Sequence, residues 1–493
     1  MSLAIHTLTA NDAANDTGLG ALLARPKLES SQALAETVSQ VIASVRAGGD
    51  RAVSDFGQRF DAHPAEALWA SETEISQAKN KLDDDLIDAI DTAIATIEKF
   101  HALGVPKSYS TETAPGVTCQ AQWRALDAVG LYVPAGSAPL PSTAIMLGVP
   151  ARLAGCRQVV LATPPGADGR ADPAVLMIAE RLGISRVLVA GGAQAVAAMA
   201  YGTETVPPVV KIFGPGNRFV TEAKRQVSLD IDGAAMDMPA GPSEVMVVAD
   251  DSADAQFVAA DLLSQAEHGP DSQALLVTDS RALADAVAAQ IDALLPKLAR
   301  ADIATTALTH ARALVVASID QALAVANRYA PEHLILASDR AEDWVAKITT
   351  AGSVFVGHNT PEALGDYISG TNHVLPTGGW AKAYAGLSLT DFTGLGTPDY
   401  GSLDFENYVI AFQGGTPTWS SLTVDPVWNS LGNTVVLIVV FATVCLALGL
   451  VMAILVDQKI RFENTFRTIY LLPMSLSFVV TAKFWLYMYN PQT

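Results

Sequence analysis

VMVVAD (245–250), ALLVTD (274–279), ALVVAS (313–318), LILAS (334–338) and SVFVG (353–357) follow one another along the chain, separated by segments whose apolar residues recur at helical spacing. Uninterrupted apolar runs of four to six residues fit strands covered on both faces, and their alternation with helices predicts a parallel sheet. Toward the N-terminus the same pattern repeats: VVLAT (159–163), a helix opened by Asp172-Pro173, VLVAG (187–191), an Ala-rich helix, then VKIFGPGN (210–217). Asp at the cap followed by Pro at the first helical position is a sound start signal, since Pro has no N–H to leave unpaired there. The expectation is an α/β protein with two such layers, and ligands beyond the carboxyl ends of the strands. No G-x-G-x-x-G follows a strand, so spacing alone leaves dinucleotide binding open. Residues up to about 125 read as helices, for example 34–47 and 83–102, a scaffold rather than a source of chemistry.

A chain of 493 residues exceeds a single core, and with 50% hydrophobic and 17% charged residues it is neither disordered nor of low complexity. The net charge of −20 repels a phosphate backbone, so nucleic acid is not an expected partner. Cys119, Cys156 and Cys445 match no disulfide framework and no metal motif and read as buried, inert thiols. The first thirty residues hold no secretory signal, which places the soluble part in the cytoplasm.

The last hundred residues are different. From 393 to 493 there are four basic and six acidic residues, so nearly all the negative charge lies before them. Residues 434–456, TVVLIVVFATVCLALGLVMAILV, carry no charge; 23 residues make about 34 Å of helix, enough to cross a hydrocarbon core of about 30 Å. A second apolar stretch, IYLLPMSLSFVVTA (469–482), is broken by Pro473 and is either a kinked second span or a stub. One or two transmembrane helices are therefore predicted.

Within the α/β part, Gln265 and His268 of LLSQAEHG stand three apart on a predicted helix and could share a metal, although such a pair is more often structural. GDYISGTNHVLPTGG (365–379) puts Asp366 and His373 in a Gly-rich loop, where they would complete an oxygen and nitrogen site of the kind zinc accepts; the plainer alternative is a capped turn. In YAPEHL (329–334), Glu332 and His333 offer two proton carriers at a helix-to-strand junction. GPGN (214–217) ends a strand and opens a helix, aiming backbone N–H groups at an anion, or simply turning the chain.

The ordered set GLYVPAGSAPLPST, GGAQAVAAMAYGTE, IFGPGN, DMPAGPSE, LLSQAEHG, YAPEHL and GDYISGTNHVLPTGG resembles histidinol dehydrogenase over residues 1–392. The resemblance implies two incomplete Rossmann-like domains, about 130–240 and 241–375, behind N-terminal helices. It also implies a zinc ion, NAD, a domain-swapped homodimer, and two successive oxidations of L-histidinol to L-histidine in histidine biosynthesis. Carried onto this sequence, Glu332 and His333 take the acid/base roles, and Gln265, His268 and Asp366 take the zinc. Ser243, Gln265, His268, His333, Asp366 and His373 meet the substrate, with Ser142 and Glu362 nearby. Tyr132, Gln194 and Asn217 occupy the family's NAD positions.

The family continues into a C-terminal domain whose Glu and His complete the partner's site. Here no histidine follows His373, which puts the fourth ligand and the swapped dimer in doubt. Instead LDFENYVIAF, WNSLGNTVVL and DQKIRFENTFRTIYLLP, within 394–493, resemble an internal piece of a sugar-type ABC importer permease. Lys459, Arg461 and Arg467 follow the span and no Lys or Arg lies in 393–433, so the positive-inside rule would leave the enzyme part outside, away from its cofactor. The tail thus reads as an addition that conflicts with the enzyme it follows, unless it tethers it to the inner membrane in the reverse orientation. The leading expectation is the oxidoreductase; the alternative is a membrane transport component with an accessory α/β domain.

Overall fold

The computed structural model describes residues 3–8, 16–26, 32–114, 117–135, 139–239, 241–395 and seven residues between 435 and 447. It separates into two units, Met1–Thr397 and Pro398–Thr493, and the elements below belong to the first. The predicted span 434–456 lies outside the described residues except for those seven, and the stretch 469–482 lies wholly outside them. Among the described residues no helix is long and apolar enough to cross a membrane.

The strands are β1 (Ala4–Thr7), β2 (Tyr109–Ala114), β3 (Val117–Ala121), β4 (Trp123–Ala125), β5 (Ala128–Tyr132), β6 (Gln158–Thr163), β7 (Arg186–Val189), β8 (Lys211–Phe213), β9 (Ala235–Met236), β10 (Glu244–Ala249), β11 (Gln273–Thr278), β12 (Arg312–Val315), β13 (His333–Ala337), β14 (Ser353–Val356) and β15 (Thr393–Leu395). One sheet runs β7-β6-β5-β8-β9 and the other β1-β12-β11-β10-β13-β14, and every pair in both is parallel. The apolar runs lie in these strands because helices cover both faces. All six residues of β10 and all five of β13 are buried, and each large side chain so placed gains roughly 1.5–3 kcal/mol. The helix Pro173–Arg181 starts as its sequence requires, with the Asp172 carboxylate accepting from the N–H groups of Ala174 and Val175.

The region before residue 125 is less uniformly helical than its spacing suggests. Helices Gln32–Phe60 and Asp84–His101 form as expected, but AIHT becomes β1 by pairing with β12, and β2 and β3 make an antiparallel hairpin. A four-residue strand at a sheet edge is specified by its partner more than by its own alternation. Cys119 departs from expectation, being exposed in the hairpin; Cys156 is half-buried, its thiol pushed up to about 11 by burial, and Cys445 lies outside the described residues.

Candidate active site

The two sheets present opposite ends to the cleft. Tyr132 closes β5, Gln194 lies in the helix Gly192–Tyr201 after β7, and Asn217 caps the helix Arg218–Leu229 after β8, so all three stand at carboxyl ends. In the second sheet Ser243 precedes β10, Glu332 and His333 open β13, and Gln265 with His268 precede β11, at amino ends. The residues predicted for NAD thus stand at the carboxyl ends of one sheet, and those predicted for chemistry at the amino ends of the other. A cavity of about 530 Å³ joins the two layers, lined by Asn217, Ser243 and His268 among others.

Glu332 and His333 are fastened to the backbone of one neighbouring residue. The Glu244 N–H donates to Glu332 Oε2 at 2.9 Å, and His333 Nδ1 lies 3.2 Å from the Glu244 carbonyl oxygen. A carbonyl only accepts, so Nδ1 carries the proton and Nε2 of the neutral ring keeps its lone pair. This register follows from the sheet, in which Val245 pairs with His333. Glu244 is itself anchored: its buried carboxylate takes two donors from Arg25, at 2.9 and 2.7 Å, and the N–H of Gly378. Arg25 Nη2 also donates to Tyr329 O at 2.9 Å, and its guanidinium lies 3.8 Å over the Tyr329 ring.

Burial drives the two proton carriers apart. The His333 ring is pushed down to about 3, first by loss of water and then by His268 and His373, well below the near-neutral value its type suggests. Glu332 is held well above the usual carboxylate range, first by burial and then by the charges of Glu244, Glu362 and Asp366, against the pull of the Glu244 N–H.

Beside this pair lies a group of polar atoms that the fold does not satisfy. Among the described residues, both amide atoms of Gln265, both carboxylate oxygens of Glu362 and Nε2 of His373 are buried without a hydrogen-bond partner. Ligand atoms of His268, Glu362 and Asp366 lie within 4.8 Å of one another. Burial raises Glu362 well above its usual range, with Asp366 and Asp261 adding to the effect, and raises Asp366 as well. Unpaired buried donors and acceptors cost about 1–3 kcal/mol each, so such a group fits a cation that would satisfy several at once. The local geometry differs from the spacing argument. The helix Ala255–Ala266 ends before His268, whose N–H bonds Gln265 O at 3.2 Å in the closing turn, and Asp366 sits in the short helix Ala363–Tyr367 rather than in a loop.

Residues 23–397 match the family model described as Histidinol dehydrogenase. This chain belongs to the histidinol dehydrogenase family. It is 56% identical over 370 residues to the histidinol dehydrogenase of Xanthomonas euvesicatoria pv. vesicatoria, an alignment covering 75% of this chain and 86% of that one. With the enzyme of Idiomarina loihiensis identity is 53% over 370 residues, covering 75% and 84%. The crystal structure of histidinol dehydrogenase from Elizabethkingia anophelis superposes with a TM-score of 0.76 at 43% identity, covering 80% of this chain and 89% of that one. The family match ends at residue 397, so these comparisons lend no support to a permease fragment in 394–493 or to a transport component.

Within this histidinol dehydrogenase fold the sequence-predicted residues gather unevenly. Gln265, His268, Glu332, His333, Glu362, Asp366 and His373 interact electrostatically or share the unsatisfied cluster. The Tyr132 hydroxyl, pushed up to about 12 by burial, accepts at 3.0 Å from the N–H of Gly192, the first residue of the helix that carries Gln194. Ser142 lies in the first turn of the helix Pro141–Ala154, which Asn372 ties to the His373 loop by donating to Met146 O at 2.8 Å. Asn217 partly overturns the anion-site reading of GPGN: its own side chain takes the N–H groups of Phe219 and Val220. Sequence reasoning passed over Arg25 and Glu244. DMPAGPSE ends in that Glu, but nothing in the order of residues shows that its backbone would meet Glu332 and His333.

Proposed function

We propose that residues 1–392 oxidise L-histidinol through L-histidinaldehyde to L-histidine, with NAD as oxidant and zinc in the site, as a cytoplasmic step of histidine biosynthesis. The proposed division is a layer of about 130–240 for NAD, at Tyr132, Gln194 and Asn217, and a layer of about 241–375 for chemistry. Gln265, His268 and Asp366 would hold the metal, and a homodimer is part of the same reading. One observation carries the proposal: His333, oriented by its Nδ1 hydrogen bond, and the buried Glu332 lie side by side against a buried set of unsatisfied metal-type donors.

When bound, NAD would supply the hydride acceptor, and zinc held by Gln265, His268 and Asp366 would serve chiefly as a template for the imidazole-bearing amino alcohol. His333 Nε2 takes the carbinol proton as the C–H bond gives up its electron pair, and the Nδ1–H bond to Glu244 O holds the ring in the tautomer that can do so. L-histidinol enters as an ammonium ion, and its positive charge beside Glu362 would favour the carboxylate form of Glu332, against the burial that raises it first and the neighbouring charges that add to it. Glu332 can then release its proton and act as the base that adds water to the aldehyde before the second oxidation. Ser243, which lines the cleft, and His373, whose buried Nε2 has no partner among the described residues, would orient the polar end of the substrate.

The purified protein incubated with L-histidinol, NAD and zinc should form two NADH per L-histidine. Absence of NADH from folded, zinc-loaded protein at saturating substrate would sink the reading.

A further inference from the structure

The turn that carries Asn217 is held by a buried ion pair to which the reading above gives no role. Lys224 lies about two helical turns beyond Asn217, on the same face of Arg218–Leu229. Its ammonium donates to Gly214 O at 2.8 Å and to Asp237 Oδ1. The other oxygen of Asp237 accepts the Gly214 N–H at 2.7 Å, and Oδ1 also accepts from Met238 at 2.8 Å. The two side chains are only 5% and 2% exposed, so one ion pair closes on both polar groups of a single residue, out of water. Gly214 has φ 113°, and a Cβ there would stand 2.2 Å from Tyr132 O, so the turn presses directly on the end of β5. Gly216, Asn217, Arg218 and Thr221 then line the 530 Å³ cleft.

Stability alone does not ask for this arrangement. Taking two charges out of water costs about as much as their attraction returns, and apolar pairs of similar volume commonly fold as well or better. What an apolar pair cannot do is fix the Gly214 peptide on both sides. We propose that Lys224 and Asp237 are positioning residues for the dinucleotide. They lock the 214–217 turn against Tyr132, so that Asn217 and the start of its helix meet the cofactor without rearrangement, and the cost of ordering the turn is met on folding rather than on binding. The proposal rests on the assignment of Tyr132, Gln194 and Asn217 to NAD.

The test compares the double variant Lys224→Met with Asp237→Leu, the single variant Lys224→Arg, and Asn217→Ala, all in the full chain. The NAD dissociation constant is read by calorimetry and the kinetics with L-histidinol. The double variant should fold, judged by near-UV circular dichroism, and bind NAD at least tenfold more weakly. Its kcat at saturating NAD and its KM for L-histidinol should stay within twofold, and Lys224→Arg should recover most of the affinity. A folded double variant with unchanged NAD affinity, while Asn217→Ala weakens it, overturns the clamp alone. Unchanged affinity in both overturns the cofactor assignment and the clamp with it. If the double variant does not fold, Asp237→Asn decides: it keeps an acceptor for the Gly214 N–H but weakens the hold on Lys224. A loss of NAD affinity of about threefold or more supports the proposal and none overturns it.

Discussion

Asp237 and Glu362 are both buried carboxylates, and they are treated in opposite ways. Asp237 meets Lys224 and two backbone N–H groups. Glu362 has no hydrogen-bond partner for either oxygen among the described residues and holds its proton well above the usual range. The difference separates two uses of polarity in one fold. A satisfied buried charge shapes the chain around it, whereas an unsatisfied one stores a cost that only a ligand can remove.

The contrast breaks most visibly at the proposed catalytic pair, Glu332 and His333. Exchanging His333 for Gln, or Glu332 for Gln, should lower kcat by about 10²–10⁴ with little change in NAD affinity, measured as NADH formation at saturating substrate. A smaller loss would mean that another group moves the proton. At the unsatisfied cluster, His268→Ala and Asp366→Ala should each weaken zinc retention at least tenfold, read as metal content after dialysis against graded chelator. Metal content unchanged in both would show that these side chains are not the ligands.

Stability should move the other way at the same place. Glu362→Met should raise the stability of the metal-free chain by about 1–3 kcal/mol while reducing activity, because it removes buried acceptors that the fold leaves unpaired. The gain has a pH direction. A carboxyl whose folded value lies above its unfolded one makes the native state lose stability as pH rises through the interval between them. The benefit of Glu362→Met should therefore be larger at pH 8 than at pH 5 in thermal denaturation. Asp261, pushed up to about 6 by burial, should show the same sign more weakly. Asp261→Asn should help by about 1 kcal/mol above pH 6 and by little below pH 4.

Much of this was legible in the order of residues. Apolar runs such as VMVVAD and LILAS became the buried β10 and β13 because a sheet covered on both faces needs such runs. Where local pattern was weak, the structure departs from it: AIHT is a strand only through β12, and His268 lies past a helix that ends at Ala266, in the turn closed by its N–H on Gln265 O. His333 departs from the ordinary value of its residue type for a similar reason, since desolvation by the surrounding sheet is invisible in a dipeptide.

By itself the sequence determined the alternation of strand and helix, the excess of negative charge, and the types of side chain available for acid–base and metal chemistry, because these depend on near neighbours and composition. Only the tertiary structure decided that carboxyl ends of one sheet face amino ends of the other. It also decided that the backbone of Glu244 holds Glu332 and His333, and that Lys224 and Asp237 close on Gly214 while Glu362 is left unpaired. Those outcomes depend on which distant groups share a place without water, and burial rather than sequence separation sets their energies.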